Sequence, residues 1–455
     1  MTTPLHAALA RLVTTSGPAA ALPLLQQTER LEPSLMQAQQ LARARELWDH
    51  SRRTAPYYAG LPAPRERAVT LEEWRALPIL GRREVLDERE RLRSSAPPPG
   101  HGPAREARSS GSTGRPVSVT VDRVAAALSH ALALRSHFWH RRDLTLKGAG
   151  IRALPSGAQA PMGLSAQRWA AHRDAGPLVL LDVHTTLDAQ LDWLLREDPG
   201  YLATYPSNAA GLVARAEARG LRLPSLRELG TFGEVVPDGL PERCRRVLGV
   251  PLIDSYSAVE LGHIALRCPE GAGYHVQSEN VLVEILRDDH GACDPGETGR
   301  VVVTALHSFV MPLIRYDLGD LATVGEPCAC GRGLGTLTRV AGRSRNLLRL
   351  PDGQWLWPRY GSNVLGLRFP LLQFRLRQVG RVDLVLDYVP ARPLGGEDRA
   401  ALAAFVLEHL GEPFRLTLEE LAEVPREASG KFEDFVCELG DPRADGDPTP
   451  AQLAE

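Results

Sequence analysis

Apolar residues recur at helical spacing between about residues 20 and 55, through LQQTERLEPSLMQAQQLARARELWDHSRR, with arginines between them. The pattern predicts a helix or helix pair whose arginines form a solvated face. A second helix is predicted over residues 123–139. Between the two, SSAPPPGHGPAREARSSGSTGRP is rich in Pro, Gly and Ser and interrupts regular structure. From about 150 to 305 the period switches repeatedly. GPLVLLDV, ENVLVEIL and GRVVVTAL read as strands, whereas AAGLVARAEARG reads as a helix ended by its glycine. This alternation predicts α/β layers around a mostly parallel sheet, with antiparallel hairpins near 275–305. After AGRSRN, near residue 341, the pattern becomes shorter and mixed. RVDLVLDYVP is strand-like, and EDRAALAAFVLEHLG is a helix with acidic residues in its first turn. The expected organisation is a large domain over 1–342, a small α+β domain over 343–440, and a polar tail over 441–455 whose composition fits disorder.

Composition narrows the function. Of 455 residues, 43% are hydrophobic and 24% charged, as in a soluble globular protein. The net charge of −2 provides no general attraction for nucleic acid. No apolar run approaches the roughly 20 residues that span a bilayer. The opening MTTPLHAALARLV lacks the pattern of a secretory signal. Six cysteines are too few for a disulfide scaffold, so a reducing cytoplasm is the expected setting. The arginine-bearing N-terminal helices are a candidate homodimer contact.

Candidate chemistry begins at RSSGSTGRP. Ser109, Ser110, Gly111, Ser112, Thr113 and Gly114 place four hydroxyls among two glycines, ahead of Arg115. Glycines let backbone amides turn inward and hydroxyls donate further hydrogen bonds, which suits polyphosphate oxygens. The lysine ending of a Walker A loop is missing, and a Ser/Gly run alone also fits a linker. Cys268, His275, Cys328 and Cys330 supply soft thiolates and one imidazole, a donor set suited to a structural tetrahedral zinc; buried, metal-free cysteines are the alternative.

Further motifs follow in order: DSYSAVELG from Asp254, PLIRYDLGDL from Pro312, AGRSRNLLRLPDG from Ala341 and VPREASGKF from Val424. Their order and spacing resemble the adenylate-forming superfamily. CPEGAGYHVQSENVLVEIL, MPLIRYDLGD and CACGRGLGTL are similar to its phenylacetate–CoA ligase branch. The resemblance covers nearly the whole chain. It implies an acid–CoA ligase using ATP, Mg²⁺ and coenzyme A, with a layered N-terminal domain, a mobile C-terminal domain and an aromatic carboxylic acid as substrate.

By this resemblance, Ser109 to Arg115 would grip the triphosphate. Asp254, Tyr256 and Ser257 would line the nucleotide, Glu260 would hold Mg²⁺, and Asp320 would accept the ribose hydroxyls. Arg343 would reach ribose or phosphate, and Lys431 would bridge carboxylate and α-phosphate. Gly233 and Glu234 of TFGEVVP are candidate nucleotide-site residues; Glu234 also fits a carboxylate at a helix start. Tyr205, Phe232, Tyr256 and His263 could form a flat pocket for an aromatic ring, or simply core. Three residues depart from the family pattern: Arg115 replaces lysine, Val259 replaces a hydroxyl residue before Glu260, and Arg345 replaces a hinge aspartate. A carrier-protein thiol or an amine is the alternative acceptor to CoA, and a non-catalytic scaffold is the reading from another class.

Overall fold

The computed structural model describes residues 5–439 apart from 63–68, 109–116, 155–162, 344–346, 361–364, 427–429 and isolated positions at 167, 272, 354, 357, 359, 367 and 412. By its contacts the chain forms two compact units. The first comprises Met1–Thr145, Ala170–Gly176 and Ser255–Ala341; the second comprises Leu146–Trp169, Pro177–Asp254 and Gly342–Glu455. The second unit therefore joins the C-terminal segment to residues from the middle of the chain.

In the first unit, helices Leu5–Thr15, Leu22–Thr28, Pro33–Thr54 and Arg123–Trp139 accompany an antiparallel sheet. Strand Val281–Leu286 pairs with Thr298–Ala305, which pairs with Tyr316–Val324. Tyr274–Val276 lies between Thr336–Arg343 and Gly262–Arg267. The predicted hairpins near 275–305 are thus present. Trp48 anchors the core edge-on to Tyr58 and Trp74, with ring centroids 5.7 and 6.3 Å away. The N-terminal arginines depart from the expected solvated face at Arg43. Its side chain is buried, donates to the Leu306 carbonyl at 3.0 Å and stacks 4.4 Å from the Phe309 ring. A guanidinium can be buried when its donors are used and its plane covers an aromatic ring. Arg315, inside the IRYD run, is buried too, and it holds Glu284 through two bonds of 3.1 Å.

The second unit carries the parallel sheet. Its strands lie in the order Leu164–Ala166, Leu178–Asp182, Gly148–Arg152, Tyr201–Thr204, Glu228–Phe232, all parallel except the first. Helices Leu187–Glu197, Pro206–Arg219 and Leu240–Leu248 alternate with these strands along the chain, as βαβ connections require. Gly220 ends its helix with φ +61°, the left-handed cap expected from the sequence. Residues 348–435 form their own hydrophobic core around a four-stranded sheet. Its order is Arg415–Glu420, Asp383–Pro390, Leu371–Gln378, Phe435–Cys437, with helix Gly396–Leu410 acidic in its first turn. Among the described residues, no helix is long and apolar enough to cross a membrane.

Candidate functional site

In open α/β sheets, ligands bind beyond the carboxyl ends of the strands, where backbone amides and loop residues are free to face them. In the second unit, Ala153, Val183, Tyr205 and Gly233 each immediately follow, or lie one residue past, such an end. Gly430 and Lys431 lie against them. A Cβ built on Gly430 would lie 2.6 Å from Val183 Cγ1 and 3.1 Å from both Ala153 Cβ and Tyr205 Cε2. The backbone at Gly430 has φ +75°, so both the space and the conformation call for glycine. Lys431 follows, its Cε 3.4 Å from a Cβ built on Gly233, which itself has φ +81°. Residues separated by about 200 positions thus bring a lysine to the sheet's binding edge.

Glu234 is buried beside this lysine, with 6% side-chain exposure. It accepts the Ser207 amide at 2.9 Å and the Phe432 amide at 2.5 Å. Burial raises its carboxyl above the ordinary range despite these donors and Arg426 3.9 Å away. Tyr205 and Phe232 meet at 5.2 Å between ring centroids, tilted by 55°. Burial likewise raises the Tyr205 phenol. Asp254 accepts the Thr231 hydroxyl at 2.7 Å.

The first unit gathers another part of the predicted set. Tyr256 donates its hydroxyl to Asp320 at 2.7 Å, across strands 64 residues apart in sequence. Ser257 pairs with His263 on the neighbouring strand, next to a register shift. Burial lowers the His263 imidazole to about 4, so it is neutral at physiological pH. Glu260 sits in the intervening turn and lines a cavity of ≈ 60 Å³ with Arg105, His130, Asn280 and His307. His307 Nδ1 is buried there without a partner among the described residues. Arg105 belongs to hairpin Arg105–Arg108/Ser118–Val121, so one cavity touches both Glu260 and the strand leading into RSSGSTGRP. The loop residues Ser109 to Arg115 fall outside the described residues, as does Arg345; Arg343 ends strand Thr336–Arg343. Val259 is 48% exposed.

The four metal candidates also converge within the first unit. Their ligand atoms all lie within 4.8 Å of one another. Cys268 Sγ is 3.8 Å from Cys328 Sγ, and Cys330 Sγ is 3.2 Å from His275 Nε2. A tetrahedral zinc with Zn–S bonds near 2.3 Å requires sulfur separations of about 3.8 Å. The amides of Glu270 and Gly271 point at Cys268 Sγ from 3.4 and 3.2 Å, and a Cβ on Gly271 would crowd Cys328 Sγ at 3.1 Å. Around this cluster, Arg332 stacks 4.6 Å from the Trp139 ring and bonds Glu29 at 3.2 Å, while Arg30 donates to the Cys330 carbonyl at 2.7 Å.

Ser207, Arg426 and Arg105 were not singled out from sequence. Ser207 and Arg426 bond each other across 219 residues of sequence, which no local spacing reveals.

The fold is of a layered α/β class with a candidate ligand site at the carboxyl edge of its parallel sheet. The AMP-binding enzyme family profile matches residues 8–311, and the chain belongs to that family. A phenylacetate–coenzyme A ligase of Thermus thermophilus is 25% identical over 263 residues, covering 51% of this chain and 59% of the relative. An indoleacetate–CoA ligase of Aromatoleum aromaticum is 28% identical over 281 residues, covering 56% and 53%. The chain thus spans little more than half the length of these curated relatives. A crystal structure of 2-hydroxyisobutyryl-CoA ligase, in the postadenylation state with R3-HIB-AMP, superposes with TM-score 0.70 at 16% identity, covering 88% of this chain and 89% of that one. The anthranilate CoA ligase AuaEII with anthranoyl-AMP gives 0.53 at 16% identity, covering 72% and 65%. These two likenesses concern the fold.

Proposed function

We propose that this protein is an AMP-forming acid–CoA ligase acting on an aromatic carboxylic acid. The observation that carries the reading is Lys431, delivered by a close-packed Gly430 to the carboxyl edge of the parallel sheet beside Gly233 and Tyr205. In the first half-reaction a carboxylate oxygen attacks the α-phosphorus of ATP. The bond to the β-phosphate breaks and pyrophosphate leaves with its electrons, giving an acyl-adenylate. In-line phosphoryl transfer depends on positioning and on neutralising charge at the non-bridging oxygens. Lys431 supplies that charge between carboxylate and α-phosphate. In the second half-reaction the CoA sulfur attacks the acyl carbon and AMP departs.

Ser109 to Arg115 hold the β- and γ-phosphates, Asp320 the ribose hydroxyls, and Asp254 and Ser257 flank the nucleotide. Arg343 meets ribose or phosphate. Tyr256 orients Asp320 through their hydrogen bond. Mg²⁺, a hard cation held by the Glu260 carboxylate, would neutralise polyphosphate charge. Tyr205 and Phe232 offer adjoining rings to an aromatic acid, with neutral His263 and Tyr256 as further pocket candidates. Cys268, His275, Cys328 and Cys330 would hold a structural zinc; their donor set and spacing fit it, and no donor is left over for an open catalytic position.

The relatives named as phenylacetate and indoleacetate ligases support the aromatic class. The test is ATP–pyrophosphate exchange over a panel of aryl and alkyl acids, followed by CoA addition. Exchange with an aryl acid and formation of its CoA thioester is expected. Exchange with no acid would return the chain to a scaffold role, and exchange without thioester would point to a carrier-protein thiol or an amine as acceptor.

A further inference from the structure

The two residues flanking Lys431 are tied to one place in the second unit, the first turn of helix Pro206–Arg219. Arg426 donates to the Ser207 hydroxyl at 2.8 Å and to the Gly430 carbonyl at 3.1 Å. Glu234 accepts the Ser207 amide on one oxygen and the Phe432 amide on the other. Arg426 and Glu234 retain only 4% and 6% side-chain exposure and approach to 3.9 Å. The Arg426 guanidinium also faces the Phe432 ring at 5.6 Å.

The helix start explains why these groups meet. Tyr205 precedes Pro206 and provides no side-chain cap, so the Ser207 amide lacks a local acceptor. Glu234 supplies one from elsewhere in the chain, and a carboxylate is favourable at the positive end of a helix. Its second oxygen remains to bind whatever arrives, and what arrives is the backbone on the C-terminal side of Lys431. Arg426 does the same on the N-terminal side. Lys431 is therefore held through its neighbours on both sides.

We propose that Glu234 and Arg426 form a releasable latch on the Lys431 loop, and that Arg426 is a positioning residue for adenylation alone. The inference rests on the acid–CoA ligase reading, in which Lys431 serves the first half-reaction and withdraws before the second. Apart from the Arg426 guanidinium over the Phe432 ring, the contacts in the latch are hydrogen bonds and a single ion pair, which water can replace once the loop lifts away. Nothing in it is covalent. The latch thus sets how often the lysine is seated without touching the reacting atoms itself.

The test compares Arg426→Ala and Arg426→Lys with the unaltered protein in both half-reactions. Arg426→Ala should slow ATP–pyrophosphate exchange about 100-fold, the scale of an ångström-sized misplacement. Thioester formation from supplied acyl-adenylate and CoA should stay within about threefold of the unaltered rate, since a misplacement that small carries no penalty where Lys431 is not used. Arg426→Lys, keeping the charge but not the fork, should recover part of the exchange rate. An equal fall in both half-reactions, or no fall in exchange, would overturn the latch. Hydrogen exchange on the substrate-free protein gives an independent readout. In Arg426→Ala the Phe432 amide should exchange at least about tenfold faster while strand Leu371–Gln378 keeps its protection. Unchanged Phe432 protection would overturn the latch even if no acid is found that the protein adenylates, whereas an absence of adenylation by the unaltered protein with Phe432 deprotected only in the variant would leave the latch standing and sink the ligase reading.

Discussion

Two ties in this molecule join residues far apart in sequence, and they are built from opposite materials. In the first unit, Cys268, His275, Cys328 and Cys330 converge on one point, backed by Trp139, Arg332 and Glu29. In the second, Glu234 and Arg426 hold the backbone around Lys431 by hydrogen bonds. Thiolates around a metal make a staple, whose ligands separate only when the metal leaves. Amide-to-carboxylate bonds make a contact that exchanges with water at little net cost. The difference teaches which part of the protein is built to stay and which to move. On the proposed reading, zinc would staple hairpins where geometry must persist, and the lysine loop would be latched where it must come and go.

The largest expected effect falls on the lysine. Lys431→Ala should lower ATP–pyrophosphate exchange roughly 100- to 1,000-fold, the usual cost of removing one preorganised transition-state contact, and spare thiolysis of supplied acyl-adenylate. Comparable losses in both would erase the contrast between a moving loop and a fixed frame. Cys328→Ser tests the other side. Metal analysis should show about one zinc per chain falling towards none, with stability reduced by about 3 kcal/mol where zinc stands at a hundredfold excess over its dissociation constant. Protein that remains metal-free after zinc-replete expression would remove the staple altogether. Gly430→Ala comes next. The added methyl would meet Val183 and Tyr205 at a positive φ, so exchange should fall about 100-fold while the melting temperature shifts only slightly. Arg115→Lys should have the smallest effect, altering the ATP dependence by roughly fivefold, the net worth of one hydrogen bond, with the chemical step preserved.

Much of this was legible in the chain because it is written locally. The run GPLVLLDV becomes strand Leu178–Asp182, and AAGLVARAEARG lies in helix Pro206–Arg219 with Gly220 in the left-handed cap. Gly233 and Lys431 were both singled out from their motifs, and they meet. Cys268, His275, Cys328 and Cys330 were grouped by donor chemistry, and their ligand atoms gather. What stayed hidden depends on tertiary company. Arg43 looked like one more solvated arginine, because nothing nearby in sequence announces Phe309 or the Leu306 carbonyl. Arg426 carries no signal within its own motif, since its partners Ser207 and Glu234 come from another part of the chain. Tyr256 shows more than its motif does, since its hydroxyl donates to Asp320, which the same resemblance assigns to the nucleotide. The two residues lie on strands that are not neighbours in the sheet, a contact that alternation along the chain cannot specify.

The central claim is that the acid's own oxygen attacks the α-phosphorus of ATP. It is tested most directly with an accepted acid whose carboxylate carries heavy oxygen, turned over with ATP and CoA and followed by mass spectrometry of the products. The account predicts that one labelled oxygen leaves with AMP and that pyrophosphate carries none. Label absent from AMP, or found in pyrophosphate, would contradict an acyl-adenylate and with it the role assigned to Lys431.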